Sequence, residues 1–132
     1  MGLFGFGKKE DKPYRVMHYE GIDSIGVDTP CTFLIKDEML NINFNSGLNV
    51  VLPMARVTKF EAMGMNDFMM KYKGTNAPNN KNGITVSYLV VTYMSKDNEE
   101  KRIVLWAANH REKMYFTDLH YTYKPTTGTL EL

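Results

Sequence analysis

From Leu40 to Phe44 the chain reads Leu-Asn-Ile-Asn-Phe, and Asn45 follows. Every second residue is apolar and every one between is asparagine. Only an extended strand sends alternate side chains to opposite faces, so this segment has one face for a core and one for water. A chain built around such a strand must pair it with neighbours and cover its apolar side.

The same period recurs on both sides of it. Tyr14 to Glu20 places Tyr14 and Val16 on one face and Met17 and Tyr19 on the other. Cys31, Phe33 and Ile35 alternate with Thr32 and Lys36, and Asp37-Glu38 turns the chain into the asparagine-bearing strand. Asn45-Ser46-Gly47 reads as a tight turn, with glycine supplying a positive φ. Leu48, Val50 and Leu52 continue the meander until Pro53 ends it. Val57 to Met63 is a further strand, and Ile84 to Met94 pairs with Lys101 to Trp106 as a hairpin. The parity predicts Phe33, Ile35, Leu40, Ile42 and Phe44 inside, and Asn41 and Asn43 outside.

Two segments depart from period 2. Met65 to Tyr72 is ambiguous, with Asn66 able to cap a short helical turn. Beyond Asn109 the spacing becomes helical: Tyr115, Phe116, Leu119 and Tyr123 form one apolar stripe, and Arg111, Lys113 and Asp118 face water. Asn109 and Glu112 fit a reciprocal cap at the helix start. Pro125 closes the helical region. The expected class is mostly β with one C-terminal helix: a half-open barrel of about seven antiparallel strands capped by that amphipathic helix. Residues 1–12 read as an N-terminal arm, 13–125 as the domain and 126–132 as a tail. One domain is the natural count for 132 residues.

The residues support a resemblance to the bacterial pleckstrin-homology-like and GRAM-like domains. His18-Tyr19-Glu20-Gly21-Ile22 is similar to their opening, an aromatic residue followed by glycine and an apolar residue. Thr32 to Phe44 resembles their strand, acidic turn and strand. Val51-Leu52-Pro53-Met54-Ala55-Arg56-Val57 resembles the step in which a loop delivers the next strand. Val86 to Tyr93 and Arg102 to Trp106 resemble the last hairpin before the helix. The Gly-Leu-Phe-Gly-Phe-Gly-Lys-Lys start also resembles the N-termini of small bacterial proteins of this kind. The resemblance spans roughly Tyr14 to Lys124. It implies phosphoinositide binding, peptide binding or scaffolding, because one fold hosts all three. Lipid-binding members carry basic residues in the first hairpin, whereas here Gly21 to Pro30 holds Asp23 and Asp28 and no lysine or arginine.

A search for chemistry yields little. The histidines, His18, His110 and His120, lack helix-ligand spacing and read as surface or partly buried groups, so no metal is expected. The single cysteine, Cys31, falls at an apolar strand position and reads as a small core residue. It cannot form an intrachain disulfide, which suits a reducing cytoplasm. The first ten residues lack the order of a secretory signal. No phosphate loop, dinucleotide fingerprint or nucleophile elbow is present, so neither a cofactor nor an enzyme is expected. A net charge of +1 argues against a nucleic-acid partner.

Two features are less bland. No Asp or Glu occurs from Phe68 to Lys96, an interval containing Lys71, Lys73, Lys81 and Lys96. Lysines around an Asn/Gly-rich loop can receive an anion. Ten methionines occur, five of them, Met54, Met63, Met65, Met69 and Met70, within seventeen positions. Methionine fills irregular cores and also serves adaptable binding surfaces.

The preferred expectation is a non-enzymatic binding or scaffolding module for a protein, including another copy of itself. Its partner surface would be Met65, Phe68, Met69 and Met70. The alternative is a peripheral binder of anionic membrane at the inner face of the membrane. It would insert Leu3, Phe4 and Phe6 and attract lipid through Lys8, Lys9, Lys12, Lys71, Lys73 and Lys81, giving weak, reversible binding. A third reading, an enzyme, would need a deep pocket in which His18, Cys31 or paired carboxylates converge.

Overall fold

A computed structural model describes residues 12–72 and 85–123. Seven strands follow in order: β1 (Tyr14–Glu20), β2 (Thr29–Lys36), β3 (Met39–Phe44), β4 (Asn49–Pro53), β5 (Val57–Gly64), β6 (Ser87–Met94) and β7 (Glu100–Ala107). Helix α1 (Met65–Tyr72) separates β5 from β6, and helix α2 (His110–Thr122) follows β7. All pairings are antiparallel, in one sheet ordered β4-β3-β2-β1-β7-β6-β5, and the sheet does not close.

The asparagine strand lies where its pattern demands. Leu40, Ile42 and Phe44 are buried, Asn43 is exposed and Asn41 is half-buried. Phe33 pairs with Ile42, and Ile35, half-buried, with Leu40, so alternate residues of β2 and β3 share one face. The sheet curls until that face meets residues from its far end. One cluster holds Val16, Phe33, Leu40, Ile42 and Leu52 together with Val57, Phe60, Leu89, Val91, Ile103 and Leu105. Phe116 of α2 completes it, and Tyr115, Leu119 and Tyr123 pack against it, so the helical stripe faces the core as expected.

A second core lies on the opposite face of β6 and β7. Tyr19, Phe68, Val86, Tyr88, Val90 and Val104 form it, with Met63, Met65, Met69 and Trp106 packed around them. Phe68 stacks on Tyr88, with ring centroids 4.2 Å apart and the planes 4° from parallel. Strand β6 is therefore buried on both faces, which explains its near-continuous apolar run, Tyr-Leu-Val-Val. Helix α1 covers the outside of the β5–β7 half; among the described residues no such cover lies over the outside of β1–β4.

Three details of the sequence reading are corrected. Asn66 does not cap α1, which begins at Met65 directly after β5. Asn109 makes no side-chain bond at the start of α2. Glu112 is only 4% exposed and turns to the sheet, where its Oε2 accepts the Arg15 backbone N–H at 3.0 Å and Arg111 Nη1 at 3.1 Å. The cause lies in the strand pairing. Strand β7 pairs with β1 only from Met17 onward, so the Arg15 N–H needs another acceptor, and a buried carboxylate supplies one.

Candidate functional site

The outer face of β1–β4 follows from the register. Arg15 opposes Thr32, and Met17 opposes both Pro30 and Trp106. Thr32 opposes Asn43, Leu34 opposes Asn41, and Asn41 opposes Val51. Opposed residues share a face. Among the described residues of these four strands this face carries Arg15 and no carboxylate, and Val51 on the edge strand β4 is 46% exposed. A groove of about 550 Å³ runs along its β7 side, lined by Arg15, Met17, Pro30, Thr32, Trp106 and Asn109, among others. Trp106 is anchored from outside the groove, since its Nε1–H donates to Asp28 Oδ1 at 2.8 Å.

The two ends of the sheet differ. Strand β5 is sealed by α2: the Ala62 N–H donates to His120 Nδ1 at 2.8 Å, and the Tyr123 hydroxyl lies 2.8 Å from the Val57 carbonyl and 3.0 Å from that of Met54. Strand β4 has no such cover among the described residues. Its sequence, Asn-Val-Val-Leu-Pro, contains no charge that would discourage pairing, although Pro53 ends it.

The residues proposed from sequence fall elsewhere. Phe68 has no exposed surface, and Met65 and Met69 pack around it, so these three serve the second core. Met70 is 80% exposed. Of the clustered methionines, Met54 packs on the first core and Met63 on the second. Lys71 Nζ lies 2.5 Å from Glu61 Oε2, and the Tyr72 hydroxyl donates to Glu61 Oε1, so α1 is clamped to β5. Burial works to raise the Glu61 pKa, but the hydrogen bonds from Lys71 and Tyr72 and the charges of Lys59 and Lys71 outweigh it and lower it. Lys12 is exposed, and its carbonyl accepts Arg111 Nη2 at 3.0 Å. Leu3, Phe4, Phe6, Lys8, Lys9, Lys73 and Lys81 lie outside the described residues.

The groups named for chemistry are dispersed. Cys31 is buried in the main core, and burial pushes its thiol up to about 12, which keeps it protonated and inert. His110 and His120 are exposed on α2. His18 is fully buried, which corrects its reading as a surface or partly buried group. Strand parity could have found it: Tyr14 and Val16 face the core, and His18 is the next residue in that phase. Among the described residues, no three of His, Cys, Asp and Glu gather as metal ligands, and no helix is long and apolar enough to cross a membrane. No protein-family model matches the chain, and no curated protein matches it.

Proposed function

We propose that the chain is a pleckstrin-homology-like, non-enzymatic binding module. Its target is a protein, and a second copy of the chain is the first to test. The observation behind this reading is the outer face of β1–β4, which among the described residues is uncovered, is amide-rich and is bordered by an uncharged edge strand. A partner strand can pair with β4 through main-chain hydrogen bonds while its side chains meet Val51 and the asparagines. An acidic or neutral partner suits Arg15. Strand order, and a C-terminal helix packed into the main core, support the family reading.

Light scattering after size exclusion tests the proposal, comparing the wild type with Val51→Glu and Met17→Glu. Concentration-dependent association that either charge weakens is the expected result. A chain that stays monomeric at about 1 mM and co-sediments with anionic vesicles would favour the membrane alternative instead.

A further inference from the structure

His18 is a buried titratable group with no part in the binding face. Its ring meets Phe44 edge-on, with centroids 6.0 Å apart. Nδ1 lies 3.0 Å from the Gly26 carbonyl oxygen, which can only accept, so Nδ1 carries the proton. Nε2 accepts the Ile22 N–H at 3.2 Å. Those two partners fix the neutral Nδ1–H tautomer.

Both partners belong to the loop between β1 and β2, residues 21–28. Gly21, Ser24 and Asp28 hold left-handed backbone there, at φ 110°, 70° and 59°. Ile22 and Ile25 pack against the main core, and the Ile25 N–H donates to the Ile22 carbonyl at 3.2 Å. Thr29 Oγ1 donates to the Gly26 carbonyl at 2.8 Å. The loop stands between two grooves. One, of about 570 Å³, is lined by Gly21, Ile22 and Asp23 with Val50, Tyr93 and Ile103. The other, of about 390 Å³, is lined by Ser24, Ile25 and Gly26 with Phe44 and Asn45.

We propose that loop 21–28 is a lid latched by neutral His18, and that protonation of His18 in mildly acidic medium releases it and opens the core edge at Phe44, Val50 and Tyr93. A proton on Nε2 turns the acceptor of the Ile22 N–H into a second donor, so that bond is lost. It also places a charge against Phe44 with no ion partner in contact among the described residues.

The groups around the ring set the direction. Glu20 on the same strand favours the cation, as does the bond to the Gly26 carbonyl, but burial outweighs both and lowers the pKa from the ordinary 6.5. Cys31 on β2 remains a neutral thiol, and β3 presents Phe44. In the loop, Asp23 lines the larger groove and Asp28 is held by Trp106. Because the folded-state value lies below the open-state value, the latch is at full strength above about pH 6.5 and is lost as pH falls toward the folded value.

Amide exchange between pH 7.5 and 5, corrected for intrinsic rates, tests the lid. Protection at Ile22 and Ile25 should fall about tenfold per pH unit below the ordinary imidazole value, while Ile42 in β3 stays protected. Trp106, the single tryptophan, should report the same transition by fluorescence through its bond to Asp28. In His18→Gln, whose amide can both donate to Gly26 and accept from Ile22, the pH dependence should vanish. Protection independent of pH, an equal loss in His18→Gln, or a loss shared by Ile42 would overturn the proposal. If that variant does not fold, the wild-type imidazole nitrogen resonances decide. Bulk protonation of His18 must accompany the completion of Ile22 deprotection, and a ring still neutral when protection is gone refutes the latch.

Discussion

Gly21 sits at φ 110° where β1 leaves the sheet, and a Cβ built there would lie 2.3 Å from the Arg102 carbonyl oxygen and 2.7 Å from Ile103 Cα. The obstacle is backbone, which cannot swing aside. Gly21→Ala should therefore lose about 2–4 kcal/mol in denaturant melts, combining left-handed strain with overpacking; a loss under about 0.5 kcal/mol would mean that β7 gives way. The opposite sign is expected at Glu38. Asp37 and Glu38 hold φ 54° and 62° in the β2–β3 turn, a pair of left-handed residues where glycine is favoured at the second position. Glu38→Gly should gain about 1 kcal/mol, because the side chain's left-handed penalty is removed. Both turns were legible in the sequence, and the need for glycine at Gly47 was read correctly. The crowding at Gly21 was not legible, because its cause is a strand some eighty residues away. His18 likewise read as a surface or partly buried group, because the parity of β1 was not followed to its end.

At the scale of elements, β-strands with alternating side chains were readable because period 2 repeats within each one. Helix α1 was not, because eight residues give barely two turns of period. Its place is set by contacts distant in sequence: Phe68 on Tyr88, and Lys71 and Tyr72 on Glu61. This also explains why the methionine-rich segment read as a surface. Its composition suits either role, and only the register of β6 shows that a second apolar face needed covering. Phe68→Ala should cost about 3–5 kcal/mol, measured by chemical denaturation. The Glu61 clamp adds a pH dependence. A lowered carboxyl pKa means that its contribution is present above the ordinary value of 4.5 and lost as pH falls through the folded-state value. Amide protection within α1 should drop between pH 5 and 3 in the wild type, and this step should be missing in Glu61→Gln. A step of the same size in both would place its origin elsewhere.

For the molecule as a whole, the unclosed sheet sets the main constraint. Strands β4 and β5 end it without pairing to each other, and α2 is the element that makes the curl self-sufficient. The helix does this in two ways. Phe116 is fully buried in the main core, while Tyr115 stacks on Tyr14 with centroids 3.9 Å apart and Arg111 lies over the same Tyr14 ring. Glu112, His120 and Tyr123 meanwhile satisfy backbone groups of β1, of β5 and of the link from β4 to β5. The apolar stripe was legible from spacing alone. The polar seam was not: Glu112 read as a cap, His120 as a surface or partly buried group and Tyr123 only as part of the apolar stripe, until the strands supplied partners. Deleting residues 109–132 removes both contributions, leaving the core open beside Phe60 and the β5 edge unsealed. A domain of this size has little core to spare, so the truncated chain should aggregate or lose cooperative unfolding. Phe116→Ala, which empties the core but leaves the seam, should remain monomeric while losing about 3–5 kcal/mol. Light scattering and thermal melts on the two variants separate the roles. If the truncation stayed monomeric and melted with the wild type, α2 would not belong to the folding unit, and its stripe would become a binding surface in its own right.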